Sequence, residues 1–260
     1  MNTGRYASAV AIIMLAGATF AACFPSGNER GTAEPEGTAA DSIAAQAGDD
    51  SSYHQVRIDS ILPPEDAATR YTTLTDEDFR CVANELQVEV PAIKAVVLIE
   101  AGKHMEGFWG PGLPVVNCDR SLWSSVAKKV KSRAKAPAST QVPQGLKHAY
   151  ARKAWRKLIN ARKICIEQAD LCTFWGMFQI GGFNYRLCGC ATIQEFVELM
   201  SYSELEQLEL FAAMITNTGQ VKYLRAKNWA GFARAYNGPG YARRGYHTRM
   251  AAAYKRLKGN

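Results

Sequence analysis

The chain has 260 residues, 47% of them hydrophobic, and a net charge of +7, which is room for one domain of ordinary size with appendages. The charge is unevenly placed: residues 24–78 hold 3 basic and 12 acidic side chains, a net of −9, and residues 79–260 hold 27 basic and 12 acidic, a net of +15. A basic globular part suits an anionic polymer, and the absence of any long apolar run after the first 23 residues excludes a protein built of membrane-spanning helices.

Arg5 precedes an apolar run from Ala9 to Phe20 that leads into small residues and Cys23. The run is too short to span a bilayer and reads as a signal peptide over residues 1–23. Phe20-Ala21-Ala22-Cys23 resembles a bacterial lipobox, in which the cysteine is lipidated after cleavage; cleavage without lipid is the alternative. Export sets nucleic acid aside as a partner. It leaves cell-wall polymers, their stem peptides and, through the anchor, the membrane surface. Residues 24–73 are rich in Ala, Gly, Ser, Asp, Glu and Pro. They cannot bury enough apolar surface to fold, so a flexible acidic linker is predicted there.

Residues 74–260 read as successive helices. Thr75 with Asp78 has the form of an N-cap and an acid three residues on. Pro91 suits the first turn of a second helix. In that helix Ile93, Val96 and Val97 form an apolar stripe, and Glu100, seven residues after Ile93, falls on it just before Gly102. A carboxyl on a buried face at a helix end is costly to ionise, so its pKa rises, as a general acid at neutral pH requires. The same pattern also fits a glutamate that reaches solvent or pairs with a lysine.

Basic residues cluster between Lys128 and Lys163. They form either a patch for an anionic surface or the solvated face of a helix with Tyr150, Trp155 and Leu158 packed inward. Pro137 to Pro143 reads as a loop insertion. Once Cys23 is set aside, Cys81, Cys118, Cys165, Cys172, Cys188 and Cys190 remain. Disulfides, with 15 possible connectivities, and buried thiols are both open. The one-residue gap in Cys188-Gly189-Cys190 argues against a zinc knuckle. His54, His104, His148 and His247 have no metal-ligand spacing, and neither metal nor cofactor is expected.

Trp175-Gly176-Met177-Phe178-Gln179-Ile180 and Gly181-Gly182-Phe183-Asn184-Tyr185 follow. Glycines beside aromatics allow a sugar to approach the backbone, and Gln and Asn amides offer paired donors and acceptors for it. A helix–turn junction with core aromatics is the other reading. Thr192 with Glu195 and Ser203 with Glu206 look like two further capping boxes. Leu205, Leu208, Phe211, Ala212 and Ile215 recur at helical period up to Asn217-Thr218-Gly219. Ala235-Tyr236-Asn237-Gly238-Pro239-Gly240-Tyr241 is a helix end and Gly-Pro turn, and Tyr246 to Lys258 a final basic helix. Convincing period-two alternation is absent, so a mainly α, compact helical globule is predicted.

Three features stand in a fixed order: an acid at a helix end, then Gly-x-x-Gln, then Tyr-Asn-x-Gly. The set resembles the lysozyme superfamily and, more closely, the N-acetylmuramidase domain of phage endolysins and bacterial wall lysins. Ala92-Ile93-Lys94-Ala95-Val96 through Ile99-Glu100 carries the likeness, with Gly107-Phe108, the Trp175 to Tyr185 stretch, Trp229-Ala230-Gly231-Phe232-Ala233 and Tyr236 to Tyr241. It covers roughly residues 74–257.

The resemblance implies a lysozyme-like fold and hydrolysis of the β-1,4 bond from N-acetylmuramic acid to N-acetylglucosamine in peptidoglycan glycan strands, by a monomer. Glu100 lies at the family's catalytic glutamate. The family's Phe-Glu-Arg-His run corresponds to Cys118-Asp119-Arg120-Ser121, which makes Asp119 the candidate second carboxylate, and Ala101 stands where the family has serine. Gln179, Asn184, Tyr236 and Asn237 are expected to hold the sugar, while Phe183 and Tyr185 either stack on it or fill the core. The departures at Ala101, Asp119 and Ser121 keep two other readings open: a lytic transglycosylase that uses Glu100 alone, and a non-catalytic peptidoglycan-binding lipoprotein.

Overall fold

The computed structural model describes residues 71–130 and 141–259. The expected signal segment with Cys23, most of the expected linker and most of the Pro137–Pro143 loop lie outside the described residues. The folded domain reaches further toward the N-terminus than the composition suggested. Tyr71 donates its backbone N–H to the Tyr202 carbonyl at 2.7 Å, and Thr72 accepts from Glu204 N–H at 3.3 Å.

Helix α1 spans Asp76–Leu86 and starts at the Thr75 capping box, whose two reciprocal bonds are both present. Helix α2, Val90–Glu100, is the central one: Ala92, Ile93, Ala95, Val96 and Val97 are fully buried. It is apolar nearly all round, which places it inside the core rather than on its surface. A short antiparallel hairpin follows, β1 (Phe108–Gly110) with β2 (Leu113–Pro114). Strand β3 (Val116–Cys118) leads into α3 (Arg120–Val130). Then come α4 (Ala149–Arg162), α5 (Ile166–Leu171), β4 (Thr173–Trp175) and β5 (Ile180–Gly181).

Strands β3, β4 and β5 form one antiparallel sheet, with Val116 opposite Trp175 and Trp175 opposite Ile180. The Trp175 to Ile180 stretch is therefore a β-hairpin and not a helix–turn junction. Its strands have two or three residues each, too few for an alternating pattern to show. The remaining helices are α6 (Ile193–Met200), α7 (Glu204–Asn217), α8 (Val221–Arg225), α9 (Trp229–Asn237) and α10 (Tyr246–Gly259). Thr192 and Ser203 cap α6 and α7 through the N–H groups of Glu195 and Glu206. Helix α10 packs along α2.

The core gathers Ile93, Leu158, Trp175, Phe178, Phe196, Phe211 and Phe232, all below 2% exposed. Inside it Arg162 Nε donates to Asp170 Oδ1 at 2.6 Å. The six cysteines in the described residues are free thiols, and Cys118, Cys172, Cys188 and Cys190 are buried. Among the described residues no helix is long and apolar enough to cross a membrane, and no cluster of three or more His, Cys, Asp or Glu is placed to hold a metal ion.

Candidate active site

Helix α2 stops at Glu100, with Ala101 as its C-cap. The Glu100 carboxyl stands in a cleft of about 280 Å³, near the lower end of the ~300–1,000 Å³ usual for small-ligand pockets. Loss of solvation raises its pKa to about 7, against two weaker opposing influences, the Asn237 amide and the positive charge of Arg249. Asn237 Nδ2 donates to Glu100 Oε1 at 2.9 Å.

The second wall of the site is held by Tyr236. Its hydroxyl donates to the Phe178 carbonyl at 2.6 Å, and its ring stacks on Phe232 at 5.2 Å. Phe178 in turn stacks on Phe211 at 4.2 Å. These contacts pin the β4–β5 turn to α9, so that Gln179 from the turn and Asn237 from the helix both reach Glu100's end of α2. Burial, and then the nearby Glu100, push the Tyr236 phenol well above its ordinary pKa, which keeps it a proton donor. Gln179 has φ of 47° and donates through Nε2 to the Gly176 carbonyl at 2.9 Å, so its side chain is folded across the turn at the cleft wall.

A buried amide ties the two hairpins together. Gln207 is fully buried on α7. Its Oε1 accepts from Met177 N–H at 2.8 Å, and its Nε2 donates to the carbonyls of Met200 at 2.8 Å and Gly107 at 3.3 Å. Glu204, one turn earlier, accepts from Gly107 N–H at 2.7 Å and Leu74 N–H at 2.9 Å. A Cβ on Gly176 would lie 2.6 Å from Gln207 Oε1, and one on Gly107 would lie 2.7 Å from it. Gly176, one of the glycines expected to admit a sugar, instead admits this amide, and its φ of 68° makes the same demand.

Four of the candidate residues thus come together: Glu100, Gln179, Tyr236 and Asn237. The others do not. Asp119 sits at the N-terminus of α3, where its Oδ1 accepts from Ser121 N–H at 2.8 Å and Leu122 N–H at 2.9 Å, and it is not part of the cleft wall. A carboxylate directly before a helix is well satisfied by the free N–H groups there, which is why its sequence position misleads. Phe183 packs edge-on against Phe174 at 6.0 Å, Asn184 lies in the 3₁₀ turn Gly182–Asn184, and Tyr185 is buried with its hydroxyl accepting from Arg186 Nε at 2.8 Å. None of the three lines the cleft.

The cleft wall includes side chains that sequence reasoning passed over: His104, Glu106, Trp109, Asn117, His148 and Tyr150. Asn117 had a faint signal, as the polar middle residue of a strand buried on either side of it. Glu106 is the second carboxylate of the wall, 3.6 Å from Lys147 Nζ. Tyr150, which packs inward in one of the two readings of the basic stretch, is 65% exposed. The inward face of α4 is taken by Ala151, Ala154, Trp155 and Leu158, and Tyr150 stands at the edge of that stripe in the first turn, where the core does not cover it.

A mainly helical domain in which a short β-hairpin leads from the end of its central helix, with an acid at that end inside a sugar-sized cleft, is the arrangement of a lysozyme-like glycosidase. Comparison with known proteins specifies the family. The N-acetylmuramidase family model matches residues 89–258. The crystal structure of Burkholderia AP3 phage endolysin matches with a TM-score of 0.55 and 32% sequence identity, over 72% of this chain and 71% of that one. The chain belongs to the N-acetylmuramidase family, and its activity is that of a muramidase-type glycoside hydrolase acting on peptidoglycan. No curated protein matches it.

Proposed function

We propose that Glu100 is the general acid that cleaves the β-1,4 bond from N-acetylmuramic acid to N-acetylglucosamine. The supporting observation is a cleft carboxyl held by a neutral amide, with a pKa raised to about 7. At neutral pH a large fraction of it carries a proton. That proton passes to the glycosidic oxygen as the C1–O bond breaks and the sugar becomes oxocarbenium-like. Water then adds to C1 and returns a proton to the carboxylate. Asn237 fixes the carboxyl, Gln179 borders the sugar, and Tyr236 holds the turn that carries Gln179. Asp119 acts in this reading as a helix cap.

With Asp119 engaged elsewhere, a lytic transglycosylase that uses Glu100 alone is the second reading. There the sugar's own 6-hydroxyl attacks C1 and no water is added. Mass spectrometry of fragments from purified sacculi separates the two. A product heavier by one water supports hydrolysis, and a 1,6-anhydro product overturns it in favour of the transglycosylase. Release of no soluble fragment removes both and leaves a wall-binding protein. We further read residues 1–23 as an export signal, Cys23 as its lipid anchor and residues 24–70 as a tether that holds a monomeric enzyme in the bacterial envelope.

A further inference from the structure

Tyr150 is the most exposed of the large apolar side chains among the described residues, at 65% against 40% for Leu187 and 38% for Ile166. It stands at the edge of the α4 stripe that buries Ala151, Ala154, Trp155 and Leu158, in the first turn of the helix, and the core does not cover it. Yet the ring is not loose. Trp109, buried on β1, meets it edge-on at 5.6 Å and 87°. His148 lies 6.3 Å away at a tilt of 32° and itself meets Trp109 at 5.6 Å. His148 is fixed in turn as the N-cap of α4, accepting through Nδ1 from Ala151 N–H at 3.1 Å. Neither Trp109 nor His148 stacks flat on Tyr150. All three rings line the same cleft as Glu100 and Gln179.

We propose that Tyr150, steadied by Trp109 and His148, is a stacking platform for a second sugar ring of the glycan strand, next to the ring that Glu100 serves. The proposal rests on the muramidase reading of that cleft. A pyranose presents a patch of C–H bonds on one face, and the negative face of an aromatic ring is complementary to their slightly positive hydrogens. An exposed apolar surface at the edge of a binding cleft gains by being covered. A stiff two-torsion side chain loses little entropy when it is covered. A neutral sugar ring fits this better than a charged stem peptide, whose recognition would call for cations and not for three rings.

The test uses the full chain with Glu100→Gln, which stops turnover, and β-1,4-linked N-acetylglucosamine tetramer as the probe, with binding followed by calorimetry and by tryptophan fluorescence. Adding Tyr150→Ala is expected to weaken binding about tenfold, and adding Tyr150→Phe to change it by no more than about twofold, because stacking and not the hydroxyl carries the contact. In the protein with Glu100 intact, the Tyr150→Ala loss is expected on KM rather than kcat. Unchanged tetramer affinity in Tyr150→Ala overturns the platform, as does a tetramer that fails to bind Glu100→Gln at all, or a loss seen only with free stem peptide. A chain that releases nothing from sacculi but binds the tetramer through Tyr150 overturns the Glu100 chemistry and leaves the platform standing.

Discussion

Replacing Glu100 by glutamine separates its proposed catalytic role from its cost to the fold. The isosteric amide keeps an oxygen for Asn237 Nδ2 to bond. Loss of a general acid lowers turnover by about 10²–10⁴-fold. The effect on stability has the opposite sign. The carboxyl binds its proton more tightly in the folded chain, with a pKa near 7, than at its ordinary 4.5 when unfolded. Stability is therefore highest below about pH 4.5 and falls as pH rises toward 7, because the folded state resists the ionisation that the unfolded chain allows. The gap corresponds to roughly 3 kcal/mol once pH exceeds 7, and to about 1 kcal/mol or less at pH 5. Glutamine removes that penalty, so thermal unfolding at pH 8 is expected about 5–10 °C higher in the variant than in wild type. The difference should nearly vanish at pH 4. Scanning calorimetry at the two pH values, beside turbidity assays on purified sacculi, measures both effects. A melting difference independent of pH would refute the burial argument. Undiminished lysis would remove Glu100 from the chemistry.

Asn237→Ala deletes a bond that favours the ionised form of Glu100, so the alkaline limb of the kcat/KM profile should move to higher pH while the rate itself falls; a limb that stays or moves to lower pH counts against that role. Asp119→Asn should leave lysis and fold intact because asparagine caps a helix equally well, whereas Asp119→Ala should cost about 1 kcal/mol in urea unfolding. Lysis abolished by Asp119→Asn would restore it as a second acid. Gly176→Ala sets a Cβ against the Gln207 amide at a φ of 68° and should cost at least about 1–3 kcal/mol, read as a lower urea midpoint with lysis falling alongside it.

What could be read from the sequence was what depends on near neighbours. The caps at Thr75, Thr192 and Ser203 follow from groups three residues apart, and all three are in place. Glu100 at the end of an apolar helix is also local information. Gln179, Tyr236 and Asn237 came from the order of motifs. Their own surroundings would not have found them, since Asn237 lies 137 positions from the acid it bonds. The remaining candidates depend on partners that their own stretches do not reveal. Phe183 and Tyr185 take the core alternative, Asn184 sits in a 3₁₀ turn, and Asp119 turns its carboxylate back onto the first N–H groups of α3. The two readings left open for Tyr150 show a similar limit. A single helical position near an N-terminus can face core or cleft, and only the packing of Ala151, Ala154, Trp155 and Leu158 decides which.

The two ends of α2 place two glutamates in opposite electrostatic surroundings. Glu89, the N-cap, accepts from Lys227 at 2.6 Å, Lys258 at 2.9 Å and the Tyr254 hydroxyl at 2.7 Å, which hold its pKa down at about 2. Its position before the helix also favours negative charge. Glu100 stands at the other end, where the helix dipole opposes an anion, and the hydrogen bond it accepts comes from a neutral amide. A lysine in hydrogen-bond reach of Glu100 would make it a second Glu89, stable and useless as an acid. A raised pKa is not sufficient by itself either. Glu209 is also raised to about 7, by burial and then by Glu206, Glu85 and Asp78, yet it does not line the cleft. What singles out Glu100 is the combination: burial that outweighs the charge of Arg249, a hydrogen bond from a neutral amide rather than from a cation, a place at a helix C-terminus, and a cleft in front of it.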